Sequence, residues 1–213
     1  MASLLSKPIA IVAGAGPGTG ASIARRFAKA YPVVLLARSQ SSLDPLVDGI
    51  DRAGGSAIGI PSDVTNAGDL ASTMKQIEQQ FGSDLTVAAA VFNVASKFTR
   101  APFLESKHRV SGYIGATAAL KGGSGLGSFA MSKFAVRALS QSLAREFGPQ
   151  DVHVAHAIID GIIATEKTKE YKKDVPDSKV DPDWIAESYW FLHTQSRSAF
   201  THELDLRPYC ETW

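Results

Sequence analysis

At 213 residues the chain can build one α/β domain with a sizeable core, and it is too short for two comfortable ones. A formal charge of +1, with 45% hydrophobic and 20% charged residues, argues against a broad basic face for nucleic acid. Cys210 is the single cysteine, which excludes an intrachain disulfide.

No window approaches the run of about eighteen apolar residues that a membrane-spanning helix needs, and the first seven residues lack the pattern of a signal peptide. The expectation is a cytoplasmic protein with no nucleic-acid or membrane partner.

Short apolar runs alternate with longer amphipathic ones, the pattern of repeated βα units and a parallel sheet. Residues 8–13 predict a first buried strand, followed by a glycine-rich turn and a helix over 18–30. A second strand at 33–37, a helix over 43–53, a third strand at 56–60 and a helix over 66–81 follow, with Asn66 as the cap of the last. Residues 85–92 are apolar throughout, as expected of a fourth strand covered on both faces. The fifth strand, at 109–115, is weak because Ser111 and Gly112 fall where core residues belong. Residues 95–108 barely meet the length of a parallel crossover and show little helical periodicity.

Residues 128–147 predict a long helix with Phe129, Phe134, Leu139, Leu143 and Phe147 on its apolar side. A sixth strand at 152–159 would carry His153 and His156 on opposite faces. A Lys- and Asp-rich loop at 166–182, a helix over 183–193 and a last strand around 204–206 complete the pattern. The fold class expected is α/β, a Rossmann-type doubly wound parallel sheet in one domain spanning 1–213, with strand order 3-2-1-4-5-6-7.

Gly14-Ala15-Gly16-Pro17-Gly18-Thr19-Gly20 follows a strand and opens a helix. Glycines in that position permit a tight turn, let backbone amides approach a pyrophosphate, and let the helix pack close to the sheet. Gly14, Gly16, Gly18, Thr19 and Gly20 are therefore candidate dinucleotide-binding residues. At the end of the second strand, where a carboxylate would select NAD(H), the chain has Arg38 and Ser39. A guanidinium and a hydroxyl suit a 2′-phosphate, so NADP(H) is favoured over NAD(H).

These residues and their order resemble the classical short-chain dehydrogenase/reductase family over most of the chain. Gly14-x-x-x-Gly18-x-Gly20 resembles the family's cofactor loop, and Ser62-Asp63-Val64 resembles the element whose aspartate meets the adenine. Phe92-Asn93-Val94-Ala95 stands for Asn-Asn-Ala-Gly, and Asp160-Gly161-Ile162-Ile163-Ala164-Thr165 for Pro-Gly-x-x-x-Thr. Phe129-Ala130-Met131-Ser132-Lys133 occupies the place of Tyr-x-x-x-Lys. The resemblance implies a cofactor set that includes Asp63, Val64, Asn93, Ala95, Lys133 and Thr165, a small-molecule substrate, and a loop at 166–182 over that substrate.

Two departures qualify what the resemblance implies. The helix that the family places between its fourth and fifth strands is absent, which leaves a homo-oligomer open while removing a helix that builds its interface. The catalytic tyrosine position holds Phe129, and the serine position thirteen residues earlier holds Ala116. Phe129 has no ionisable proton, whereas Lys133 can still hold the nicotinamide ribose. Thr117 and Ser128 are neighbouring hydroxyls that could stand in, although a capping or solvent role is the blander reading of both.

The leading expectation is an NADP(H)-binding oxidoreductase with impaired or atypical proton transfer. The alternative is a non-catalytic dinucleotide-binding pseudoenzyme that acts as a sensor or interaction protein. No histidine, carboxylate and cysteine spacing suggests a metal site.

Overall fold

The computed structural model describes residues 7–94 and 115–212. It forms two compact units that divide after Asn93.

The first unit is a four-stranded parallel sheet of β1 (Ile9–Ala13), β2 (Val33–Ala37), β3 (Ala57–Pro61) and β4 (Val87–Phe92), in the order β3-β2-β1-β4. The helices are α1 (Thr19–Phe27), α2 (Gln40–Arg52) and α3 (Ala67–Phe81). The chain moves outward from β1 to β3 and then returns past β1 to β4. Right-handed crossovers therefore put α1 and α2 on one face and α3 on the other, which is double winding. β1 and β2 are accordingly buried almost throughout.

Helix boundaries follow local chemistry. Asn66 caps α3 as expected, its Oδ1 accepting from the backbone N–H groups of Gly68 and Asp69 at 2.8 and 3.2 Å. α2 begins three residues before the expected start, with Ser39 in extended conformation at the N-cap position and no cap bond from its side chain.

β4 differs from the expectation of a strand covered on both faces. Its residues are half-buried or exposed, Val87 and Phe92 to 41% and 53%. Among the described residues of this unit β4 pairs with β1 alone. The expected segment at 95–108 and all of the expected fifth strand except Gly115 lie outside the described residues.

The second unit contains β5 (His156–Ile159) and β6 (Glu203–Leu206), paired in parallel, with α4 (Gly127–Phe147) and α5 (Pro182–His193). Gly115 bridges to Ile158 along the other edge of β5, so this one described residue of the expected fifth strand lies beside the sixth, which pairs in turn with the seventh. Ile159, Val180 and Ile185 form a small core, joined by Ala157, Ile163, Tyr189 and Leu206. Asp181 caps α5 through a 2.7 Å bond from the Asp183 N–H.

Three expectations need correction here. The sixth strand starts at His156, so His153 precedes it and the two histidines do not alternate along one strand. The loop at 166–182 carries a 3-10 turn, Glu166–Thr168, and its far end is pinned by Val180, which pairs with Ile163 and is 8% exposed.

The third correction concerns α4, whose expected apolar stripe is covered only in part: Phe134 and Leu139 are 43% and 48% exposed and Phe129, Leu143 and Phe147 are half-buried, whereas Ala130, Ser132, Lys133 and Ser140 are buried. The physical reason lies one turn beyond Lys133. Arg137 donates from Nε and Nη2 to Glu203 of β6 at 2.5 and 2.9 Å, a forked ion pair that fixes the rotation of the helix. Lys133 shares that face at the i, i+4 spacing.

Candidate active site

In the first unit the glycine loop is shaped for close approach. Gly14 and Gly18 hold φ of 84° and 96°, a left-handed region that side chains with a Cβ adopt at a cost. A Cβ on Gly20 would lie 2.2 Å from the Gly14 carbonyl oxygen, so glycine there is what lets α1 start against the turn. A Cβ on Gly16 would meet nothing within 4 Å, so there is open space beside the loop, while the Gly16 N–H donates to the Gly14 carbonyl at 2.8 Å. Thr19 is 7% exposed. No acidic side chain occupies the first turn of α1, which suits an anion at that end of the helix.

Asn93, at the end of β4, reaches this turn. Its Nδ2 donates to the Gly14 carbonyl at 3.2 Å, while its Oδ1 is buried with no partner among the described residues. A buried amide oxygen without a donor costs about 1–3 kcal/mol, so an acceptor is held ready for a hydroxyl such as a ribose carries. The loop, Asn93 and the open space beside Gly16 thus fit a dinucleotide.

Arg38 and Ser39 are exposed where β2 meets α2. Ser39 Oγ lies 3.0 Å from Ser42 Oγ, and Ser42 Oγ donates to the Ser39 carbonyl at 2.8 Å. Asp63, beyond β3, accepts from Thr65 Oγ1 and the Thr65 N–H at 2.7 and 3.0 Å. Those bonds, with a smaller contribution from the Arg38 charge, hold its carboxyl below the usual carboxylate range. Val64 is half-buried beside it. Ala95 lies outside the described residues.

The second unit gathers the candidates for proton handling. Ala116 caps the 3-10 turn Thr117–Ala119, which packs against α4. Thr117 Oγ1 is buried and has no hydrogen-bond partner among the described residues, so the capping role weighed for it is not what this hydroxyl does. Ser128 is half-buried in the first turn of α4.

Lys133 is 5% exposed and its Nζ stands 5.2 Å from the centre of the Phe129 ring. Burial of the ammonium pushes the Lys133 pKa down. The remaining motif residues are taken up locally. The Thr165 N–H and the Thr165 hydroxyl both meet Thr168 Oγ1, at 2.9 and 3.1 Å. Asp160 pairs with Arg207, which also holds Asp205 by two bonds of 2.7 Å, in place of any turn-capping role.

The sequence reading passed over His156, His202, Glu203 and Arg137 as a group. The available signal was the Lys133 and Arg137 spacing on α4, which marks one helix face as charged rather than apolar. Among the described residues no cluster of three or more His, Cys, Asp or Glu could hold a metal, and no helix is long and apolar enough to cross a membrane.

A glycine-rich turn from strand to helix, under a doubly wound parallel sheet, defines a Rossmann-type dinucleotide fold. The chain belongs to the classical short-chain dehydrogenase/reductase family and is an oxidoreductase of that type. The family pattern described as short chain dehydrogenase matches residues 8–107. An uncharacterized oxidoreductase of Methylorubrum extorquens is 30% identical over 195 residues, covering 78% of this chain and 77% of its own length.

A solved short-chain dehydrogenase from Rhodopseudomonas palustris is 31% identical, with a TM-score of 0.75 over 95% of this chain and 99% of that one. A metagenomic short-chain oxidoreductase, solved in complex with NADP, matches in fold at a TM-score of 0.74 and 21% identity, over 98% of this chain and 100% of that one.

Proposed function

We propose that this protein is an NADP(H)-dependent reductase of a small molecule in which Lys133, rather than a tyrosine phenol, is the ionisable group that serves the substrate. The observation that carries the reading is a nearly fully buried lysine beside a phenylalanine at the tyrosine position. An ammonium whose pKa is lowered by burial releases a proton more readily than a surface lysine, which suits a general acid.

Gly14, Gly16, Gly18 and Gly20 would cradle the pyrophosphate, with Asn93 Oδ1 accepting from a ribose hydroxyl. Arg38 and the hydroxyls of Ser39 and Ser42, at the start of α2, would take the 2′-phosphate. When bound, the cofactor supplies hydride to the substrate. Asp63 and Val64 would meet the adenine, and Lys133 and Thr165 the nicotinamide end, as the family resemblance implies.

Thr117 stands next to the vacated serine position with an unspent hydroxyl, and it would donate to the substrate oxygen. The apolar pair Ala116 and Phe129 favours substrates whose reduction needs little proton donation at oxygen, such as an activated alkene. The loop at 166–182 would cover the substrate. The pseudoenzyme reading is not favoured, because the relatives are oxidoreductases and Lys133 keeps its place.

The cofactor assignment is tested by nicotinamide fluorescence with the unaltered protein and Arg38→Asp. NADPH should bind more tightly than NADH to the former, and the substitution should weaken NADPH by about tenfold or more while sparing NADH, one lost charge-assisted contact being worth about 1.5–3 kcal/mol. Equal affinities in both proteins would exclude the 2′-phosphate site.

A further inference from the structure

The end of β2 is where the parts of the nucleotide site meet. The Leu36 carbonyl accepts from the Gly14 and Ala15 N–H groups at 2.8 and 3.0 Å, and the Ala37 carbonyl accepts from the Ser62 N–H at 2.8 Å. Arg38 follows Ala37 directly, and Asp63 follows Ser62. The position of Ser62 therefore sets where Asp63 stands relative to Arg38 and the glycine turn.

A second anchor reaches Ser62 from α3. Its Oγ lies 2.8 Å from Thr73 Oγ1, which in turn lies 2.8 Å from the Asp69 carbonyl oxygen, one turn earlier on the helix. A hydroxyl has one proton to give, and a carbonyl oxygen can only accept. Both bonds are made when Ser62 donates to Thr73 and Thr73 donates to Asp69. The Asp69 N–H donates to Asn66 Oδ1 at 3.2 Å, so this chain of bonds ends on the capped first turn of α3. Ser62 is 5% and Thr73 2% exposed, which leaves little room for water to replace either bond.

Bonds within the loop do not supply this anchor. Asp63 accepts from Thr65 Oγ1 and the Thr65 N–H at its carboxylate, and from the Asn66 N–H at its carbonyl. Those contacts shape the turn over 63–66, whereas the Ser62 bonds tie it to β2 on one side and α3 on the other. Packing does not call for hydroxyls here, because replacing both partners of a buried hydrogen bond by apolar groups of the same shape is nearly neutral. What the pair adds is a fixed distance and direction between helix and loop.

Given the reading above, in which the glycine turn and Arg38 hold NADP(H), we propose that Ser62 and Thr73 are positioning residues for the adenosine end of that nucleotide. Both side chains are buried, so they act through Asp63 and Arg38 rather than on the ligand. Thr73 holds the Ser62 hydroxyl, Ser62 holds the Ala37 carbonyl, and the separation of Asp63 from Arg38 is held constant.

The test is calorimetric titration with adenosine 2′,5′-bisphosphate, which carries the adenine, the ribose and the 2′-phosphate and lacks the nicotinamide. Thr73→Val and Ser62→Ala should each weaken its binding by about fivefold, the net worth of one hydrogen bond. Thr73→Ser keeps the hydroxyl and should bind as the unaltered chain does. Because the two residues share one bond, the double variant Ser62→Ala with Thr73→Val should bind about as weakly as either single one. Thermal melting separates positioning from stability. Thr73→Val leaves the buried Ser62 hydroxyl without a partner and should lower Tm, and the double variant, with neither hydroxyl, should recover it.

Unchanged affinity in both single variants, or affinity that recovers in the double variant together with Tm, would overturn the positioning role. So would Thr73→Ser binding as weakly as Thr73→Val. Ser62→Ala, the smaller change, carries the binding test if Thr73→Val folds poorly. Failure of the unaltered chain to bind either the bisphosphate or NADPH sinks the nucleotide reading itself, whereas intact binding with no response to the variants sinks this proposal alone.

Discussion

Phe129→Tyr is expected to raise NADPH-dependent reduction of simple aldehydes and ketones by about 10²- to 10⁴-fold, the usual worth of one positioned proton donor. The ring position is already inside the field of the Lys133 ammonium, 5.2 Å from its centre to Nζ. A phenol placed there would give up its proton more readily than a free tyrosine, which makes it a better donor to the oxygen of a carbonyl under reduction. Adding Ala116→Ser should increase the gain further, because Ala116 opens the 3-10 turn that packs against the same helix. Steady-state kinetics across a carbonyl and enone panel measures both. If the tyrosine variant gains nothing on any carbonyl, the pocket is not arranged for hydride transfer to carbon.

Lys133→Met has the second large expected effect, and in the opposite direction. Turnover of any substrate accepted by the unaltered chain should fall by about 10²-fold or more, since the sole ionisable group of the Tyr-x-x-x-Lys match is removed. Thermal melting of the same variant separates a loss of chemistry from a loss of fold.

The pH dependence follows from the direction of the shift. The folded Lys133 pKa lies below the unfolded one, near 10.5 for an unperturbed lysine. Between the two values the unfolded chain binds more protons, so this group makes stability rise with pH across that window. Thermal denaturation from neutral to alkaline pH should show that rise in the unaltered chain and a flatter curve in Lys133→Met. Retained turnover in the variant would remove Lys133 from the chemistry.

How much of this was legible beforehand varies with the type of signal. The glycine loop and the cap at Asn66 were readable because each depends on residues close in sequence, and the order of the first four strands because alternating strands and helices wind in few ways. The rotation of α4 was not. Hydrophobicity placed Phe134 and Leu139 inward, whereas the pair between Arg137 and Glu203, 66 residues apart, turns the buried face toward Lys133.

The same non-local pairing hid the surroundings of His156, which as a sequence letter was one of five histidines with no metal spacing. Its Nε2 lies 2.8 Å from where a Cβ on Gly115 would stand, so the ring's position depends on glycine there. The apolar run of β4 misled for a related reason. Composition reports what a strand could bury, and burial depends on what is laid against it.

Isothermal titration calorimetry of the folded, unaltered protein with NADPH and NADH tests the core of the account. Saturable heat with one nucleotide per chain, stronger for NADPH, is the predicted result. Heat with neither nucleotide would contradict the claim that the turn at Gly14–Gly20 and Asn93 hold a cofactor at all.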